Sequence, residues 1–560
     1  MFDLLALPEE IIEKITELVR SSMDQTSQLL TRLLPLFLLF QFNGPEKKTA
    51  RLACKPLNAI VEHQLFSNIV LKYSNYQPDL ICEQLEALAF RTTTARFHAR
   101  SLEIRGFSPD AHLGARSRSR SMERPRSSRS RSRGPLAEAH QANRGILAYL
   151  GQAICSLTKV RDVWWHISPN DPEWAKISVM DSLASLPYLN TLRLSLAGGS
   201  AESLKLESLS NLRNITISGH CPDYRQDILA GLSRLISNSP DLDFLDVSYK
   251  MIRGSRNTEY PSLFDLFSET SPETPLTLSH LSLSGYCIRL DAAAIPHLRF
   301  LQSLSLHNVV DGRSSRFQDT IDQNELAELV AEMARCCSSA DDVWNALKDD
   351  RICLKEIITD GVNEALLDYL ASYSGLRKLQ LKCTARGSSS AASDRLAMRF
   401  YAEVLPKHAE SLQSLDISPE YEGKWCFGRH NESSLRLCTK LEELKIHIHS
   451  RDINRAKQQD VVWTLLSIAD DLPSLTHLTI DSADAEDNRD GRSGNPSIGH
   501  IYRVNKEICH SVTTYGPLDS SAMSKVVTTP ARDYVARSDE NAGLGLWYRS
   551  SMSQGSHLEL

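Results

Sequence analysis

A six-residue pattern, Leu-x-x-Leu-x-Leu, restricts the fold of this chain more than anything else in it. Copies stand at Leu189-Leu192-Leu194, Leu212-Ile215-Ile217, Leu242-Leu245-Val247, Leu278-Leu281-Leu283 and Leu301-Leu304-Leu306. After a gap they resume at Leu376-Leu379-Leu381, Leu412-Leu415-Ile417, Leu441-Leu444-Ile446 and Leu475-Leu478-Ile480, with a weaker copy at Leu354-Ile357. In each, the closing x-L-x-L alternates with period two, so a short strand would send both leucines to one face. Nine full copies in one helix-and-strand order point to a repeat array, because a self-similar unit buries its apolar face only against its neighbours.

The segments between copies carry a different period. Ile228, Leu232, Leu235 and Ile236 share one helical face, as do Leu326, Leu329, Val330 and Met333. Leu366, Leu367, Leu370 and Tyr373 form a third face, followed by Gly375, a residue suited to the end of a helix. Val461, Val462, Leu465, Leu466 and Ile468 form a fourth, stopped near Pro473. Strand, turn, helix, turn, strand implies parallel strands with helices outside. Spacing runs from 22 residues (Leu354 to Leu376) to 36 (Leu242 to Leu278), so several units carry inserted loops.

Ahead of the array, residues 7–19 read as an amphipathic helix. Pro8 lacks the N–H that the first helical turn leaves unpaired, and Glu9 and Glu10 sit at its positive end. Ile11, Ile12, Ile15, Leu18 and Val19 make its apolar face. A second helical stretch spans 49–65, and Leu65 to Leu71 leads into a strand-like exit. The order Leu7-Pro8-x-Glu10-Ile11, Ile15, Leu52-Ala53-Cys54-Lys55-x-Leu57 and Leu65-Phe66-x-x-Ile69 resembles an F-box, with an insertion near 20–48. The array behind it resembles the leucine-rich repeat. The expected fold is therefore α/β: an irregular leucine-rich-repeat solenoid, a parallel sheet with outer helices, preceded by a small all-α F-box unit.

The expected organisation is an F-box-like unit over 1–72, then a linker with a first strand (Arg100 to Ile104) over 73–110. An Arg/Ser-rich disordered segment over 111–140 and the repeat array over 141–482 follow, and 483–560 is expected to be a mainly disordered tail with a short strand near His500 to Val504. The Arg/Ser segment holds eight arginines and one glutamate between Arg116 and Arg133, a local balance of +7 inside a chain whose formal net charge is −6. The rest is acidic, so a nucleic-acid-coating body is unexpected and any RNA binding belongs to 115–134. The 12 cysteines form no Cys-x-x-Cys pair, and no secretory leader precedes them, which suits an intracellular protein, cytoplasmic or nuclear, with reduced thiols. The most apolar run, Leu33 to Phe42, contains Pro35 and is half the length that a membrane span needs, so no membrane association is expected.

Catalytic signatures are missing from the sequence. There is no phosphate-binding glycine loop and no nucleophile elbow. Cys336-Cys337 reads as a pair of buried small hydrophobes. His447-x-His449 points two imidazoles to one side of a strand, but without further donors at matching spacing it reads as a pair of solvated histidines, and no metal or cofactor is expected. The residues between the repeat leucines face outward, and the candidates for contacting a target protein are Arg193, Phe244, Asp246, His280, Lys378, Asp416, Lys445 and His477. The F-box resemblance implies that Leu7, Pro8, Ile11, Ile15, Leu52, Cys54 and Leu57 form the surface and core that dock on a Skp-type adaptor and, through it, a cullin scaffold. It further implies a non-catalytic substrate receptor of an SCF-type ubiquitin ligase. A repeat scaffold without a ligase, and an RNA-associated protein acting through the Arg/Ser segment, are the other readings.

Overall fold

The computed structural model describes residues 62, 65–73, 78–107, 135–197, 204–219, 227–249, 263–285, 294–307, 340–382, 389–453, 460–489, 497–516, 518, 525–538 and 546–551. The F-box motif up to Leu57, most of the Arg/Ser segment, the face from Leu326 to Met333 and Cys336-Cys337 lie outside them. The chain divides into two compact units, with the boundary next to Leu242.

The first unit holds strands β1 (Asn68–Lys72), β2 (Ser101–Arg105), β3 (Asp162–Ile167), β4 (Thr191–Leu196) and β5 (Asn214–Gly219). Each pairs in parallel with the next in chain order. Helices α1 (Pro78–Ala89), α2 (Pro135–Ser156), α3 (Glu173–Ala184) and α4 (Asp227–Ser237) connect or follow them, with α1 packed on α2 and α2 on α3. Two apolar rows cross the strands, Leu102-Val163-Leu192-Ile215 and Ile104-Trp165-Leu194-Ile217, none more than 1% exposed. Burying each such side chain contributes about 1.5–3 kcal/mol. β5 closes up on β4 at Gly219, where a Cβ would lie 2.5 Å from the Leu196 carbonyl oxygen, so a larger residue would force the backbones apart.

The second unit continues the same pattern through β6 (Phe244–Tyr249), β7 (His280–Ser284), β8 (Ser303–His307), β9 (Glu356–Thr359), β10 (Lys378–Leu381), β11 (Ser414–Ile417), β12 (Glu443–Ile448) and β13 (His477–Ser482). All are parallel neighbours in chain order. Helices α5 (Ala340–Asp349), α6 (Glu364–Ala371), α7 (Ser390–Arg399) and α8 (Val461–Asp471) fall between them. In both units one carbonyl just before each strand accepts two N–H groups from the next rung. Arg100 O accepts from Arg161 (2.8 Å) and Asp162 (3.1 Å), and Arg377 O accepts from Gln413 (2.8 Å) and Ser414 (3.0 Å). The strand order is compatible with a solenoid-like α/β fold. No helix among the described residues is long and apolar enough to cross a membrane.

Several expected boundaries are corrected. The array starts before the expected residue 141: the strand-like exit from Leu65 to Leu71 holds β1 and the strand expected at Arg100 to Ile104 is β2, and Ile69 and Leu71 already fill the apolar rows. The stretch expected as linker holds α1, whose Ile81, Leu85 and Leu88 recur at helical spacing and are buried. Helix α2 starts at Pro135, inside the segment expected to be disordered. The largest correction is the tail. Helix α9 (Ser497–Thr514) replaces the strand expected near His500, since Val504, Ile508 and Val512 form a buried stripe at four-residue spacing.

After α9, β14 (Val526–Thr528) joins β13 in parallel, and β15 (Asp533–Ser538) and β16 (Leu546–Ser550) then add antiparallel strands. The tail is tied to α8 by specific bonds. Asp460 caps α8 by accepting from Val462 N at 2.8 Å and also accepts from Ser511 Oγ at 2.5 Å. Trp463 Nε1 donates to Ser511 O at 3.1 Å. Buried Lys525 donates to the Ala469 and Asp470 carbonyls at the negative end of α8.

Buried histidines serve the core. His297, in the turn Ile295–Leu298, accepts from Leu276 N at 3.3 Å through Nδ1. His408, in the turn Leu405–His408, accepts from Leu376 N and donates Nε2 to Leu370 O at 3.0 Å. Each thus fastens a helical turn to the segment leading into the preceding strand. Desolvation pushes both pKa values below 6.5. The folded state therefore binds protons less readily than the unfolded chain between the depressed value and 6.5, and stability falls as pH drops through that window. Urea unfolding from pH 7 to pH 5 should show this loss, at most about 1.4 kcal/mol per pH unit for each histidine. His408→Gln should flatten the slope, and an unchanged slope would remove His408 from the account.

Candidate protein-binding faces

Because the leucine rows point into the core, the alternate residues form aligned rows on the opposite face of each sheet. In the second unit one row runs Phe244, His280, Ser303, Glu356, Lys378, Ser414, Glu443, His477. The row beside it runs Asp246, Ser282, Ser305, Ile358, Gln380, Asp416, Lys445, Thr479. These rows hold seven of the eight residues named from the sequence as target contacts; Arg193 belongs to the first unit.

The structure brings some of them together. Phe244 and His280 lie with ring centroids 5.9 Å apart, and Ser279 Oγ is 2.6 Å from His280 Nδ1. Lys445 Nζ is 3.7 Å from Asp416, which also accepts from Ser418 Oγ at 2.5 Å. Lys378 stands in register between Glu356 and Ser414 and is half-buried. His477, exposed, has its Nδ1 2.9 Å from Thr476 Oγ1. Asp246 is half-buried, and desolvation raises its pKa against the opposing effects of Ser282 and His307. His307 is shifted down, chiefly by desolvation and then by Lys382. The face is therefore polar and partly self-paired rather than a row of free charges.

One expectation about this face is overturned. His447 is not solvated: it is buried beside Asp481, its register partner on β13, and desolvation lowers its pKa. The loop after β11 accounts for this, since Phe427 N donates to His447 O at 2.8 Å and lays Phe427 along β12. His449 is half-buried, 3.7 Å from the buried carboxylate of Glu422, which also lies 3.0 Å from His500 Nε2. No group of three or more potential metal-ligating side chains occurs among the described residues.

In the first unit the outward row Glu103, Trp164, Arg193, Thr216 includes a residue that the hexad pattern passed over. Trp164 is 43% exposed and its ring lies 4.5 Å from that of His166. The signal was present in Val160-x-x-Val163-x-Trp165, a copy of the pattern with valine and tryptophan in place of leucine. No protein-family model matches the chain, and no curated protein matches it.

The inward and outward rows should respond differently to substitution. Leu379→Ala, at a position 1% exposed, should cost about 2–5 kcal/mol in urea unfolding. Lys445→Ala removes a half-exposed ion pair and should cost no more than about 1 kcal/mol. Comparable losses would mean that the outward row is structural.

Proposed function

We propose that this chain is a non-catalytic, intracellular substrate receptor of an SCF-type ubiquitin ligase. Residues 1–72 would bind a Skp-type adaptor and, through it, a cullin scaffold, while the strand faces bind the target protein. One observation carries the binding part: successive strands hold buried leucine rows in register, so the alternate residues form a broad face of aligned side chains. Such a face suits a protein surface or an extended peptide. The ligase part rests on the F-box resemblance of Leu7, Pro8, Ile11, Ile15, Leu52, Cys54 and Leu57, which lie outside the described residues.

In this reading the chain transfers nothing itself. It holds a target beside a ubiquitin-charged enzyme and raises the effective concentration of the target's lysines. A leucine-rich-repeat scaffold without a ligase would use the same face, and adaptor capture separates the two. Purified chain should be retained by an immobilised Skp-type adaptor, and the double substitution Leu7→Ala, Pro8→Ala should abolish retention. Failure of the unsubstituted chain to bind would end the ligase reading and leave the scaffold.

A further inference from the structure

We propose that the loop 418–431, which joins β11 to β12, is a pH-sensitive strap: it covers His447 at neutral pH and lifts on acidification, uncovering the end of the second unit's outward rows. This goes beyond the binding reading above and does not depend on what the face binds.

Backbone bonds set the path of the loop. It leaves β11 with Ser418 N donating to Leu381 O of β10 at 2.9 Å. It next reaches the exit of β13, where Glu422 N donates to Asp484 O at 2.7 Å and Asp484 N donates to Glu420 O at 3.0 Å. It then comes back to β12, where Phe427 N donates to His447 O at 2.8 Å. Because β12 lies between β11 and β13, the loop crosses the end of β12 on the way. Burial along the outward positions of β12 follows that crossing: Glu443 is exposed, Lys445 half-buried and His447 buried.

His447 is ill suited to this burial. Neither of its ring nitrogens has a hydrogen-bond partner. A polar group buried in this way costs stability, and a charged one costs far more. Desolvation holds its pKa below 6.5 against the pull of Asp481 on β13, Asp416 on β11 and the Ser482 backbone, and Lys445 on its own strand adds to the depression. Once the strap lifts, water reaches the ring and its proton affinity returns towards the ordinary value. The covered state thus binds a proton less readily than the lifted one, and a fall in pH between the depressed value and 6.5 favours lifting. Two other groups on the strap bear on this. His430 is tied within the loop to the Lys424 carbonyl at 2.7 Å and moves with it. Buried Glu422 works the other way: it accepts from Ser450 N at 3.0 Å and lies 3.0 Å from His500 Nε2 on α9 and 3.7 Å from His449 Nδ1, so protons on those rings tighten the strap. That carboxylate is shared, and one of its histidine contacts exceeds hydrogen-bond length, so uncovering the buried, unpartnered His447 is the larger effect.

The test is hydrogen–deuterium exchange of the full-length chain at pH 7 and pH 5, read by mass spectrometry and divided by the exchange rate of unstructured peptide at the same pH. Peptides over 419–428 should lose protection by up to about tenfold per pH unit below 6.5, while those over 432–441 stay protected. His447→Phe and His447→Gln take up no proton, and each should keep the strap equally protected at both pH values. Glu422→Gln removes the opposing carboxylate and should leave the acid-induced loss in place or steepen it. The inference is overturned if protection over 419–428 is unchanged or rises at pH 5, or if 432–441 loses protection in step with it. It is equally overturned if both His447 variants lose protection as the unsubstituted chain does, or if Glu422→Gln abolishes the loss, which would assign the response to His449 and His500.

Discussion

Everything else in this structure depends on the shared carbonyl that precedes each strand. By accepting two N–H groups from the next rung, it sets strand after strand in one parallel register. Once that register is fixed, side-chain alternation leaves no freedom: residues of one parity enter the core and those of the other meet solvent. A slip of one residue at any rung would exchange leucines such as Leu379 and Leu415 for Lys378 and Ser414. The apolar rows hold the register as much as the backbone does, because the slipped alternative buries charge without a partner.

How far this was legible depends on which residue types fill the rows. Where leucine and isoleucine occupy them, from β4 to β13, the strands and their outward residues follow from the pattern. Where Val163 and Trp165 do so, the same geometry is hidden from a pattern built on leucine, and Trp164 is hidden with it. Helices α1 and α9 escaped for a related reason. Each buries three residues at helical spacing within an otherwise polar stretch, so the composition suggests loop while the periodicity specifies a helix. The burial of outward residues was not readable either, because it comes from elsewhere in the chain: Phe427 lies along the strand that carries His447, which no local pattern records.

The two faces divide the chemistry. The second unit's outward rows are partly self-paired, through Asp416 with Lys445, Ser303 with Glu356 and Ser414 with Glu443. Pairs of this kind contribute little to stability at a half-exposed surface, but they make a face neutral towards most ions. On the first unit's outward row Trp164 and Arg193 are exposed, and Arg193 has no side-chain partner among the described residues. One repeated backbone plan therefore carries two outward rows of different composition, set by the residues between the leucines.

The reversal of strand direction after β14 has a further consequence. A sheet of parallel strands is, in effect, a growing polymer: each edge has the polarity needed to template another strand like itself. At β15 that polarity inverts, over a turn in which Thr529 N donates to Arg532 O across Pro530, and β16 restores it. The next rung of the repeat would need a helix-length crossover to arrive in parallel, and here the chain turns back within a few residues instead. The hairpin thus interrupts the repeat through its connection, a tight turn in place of a crossover, and Leu518 bridges to Leu546 at the start of the last strand.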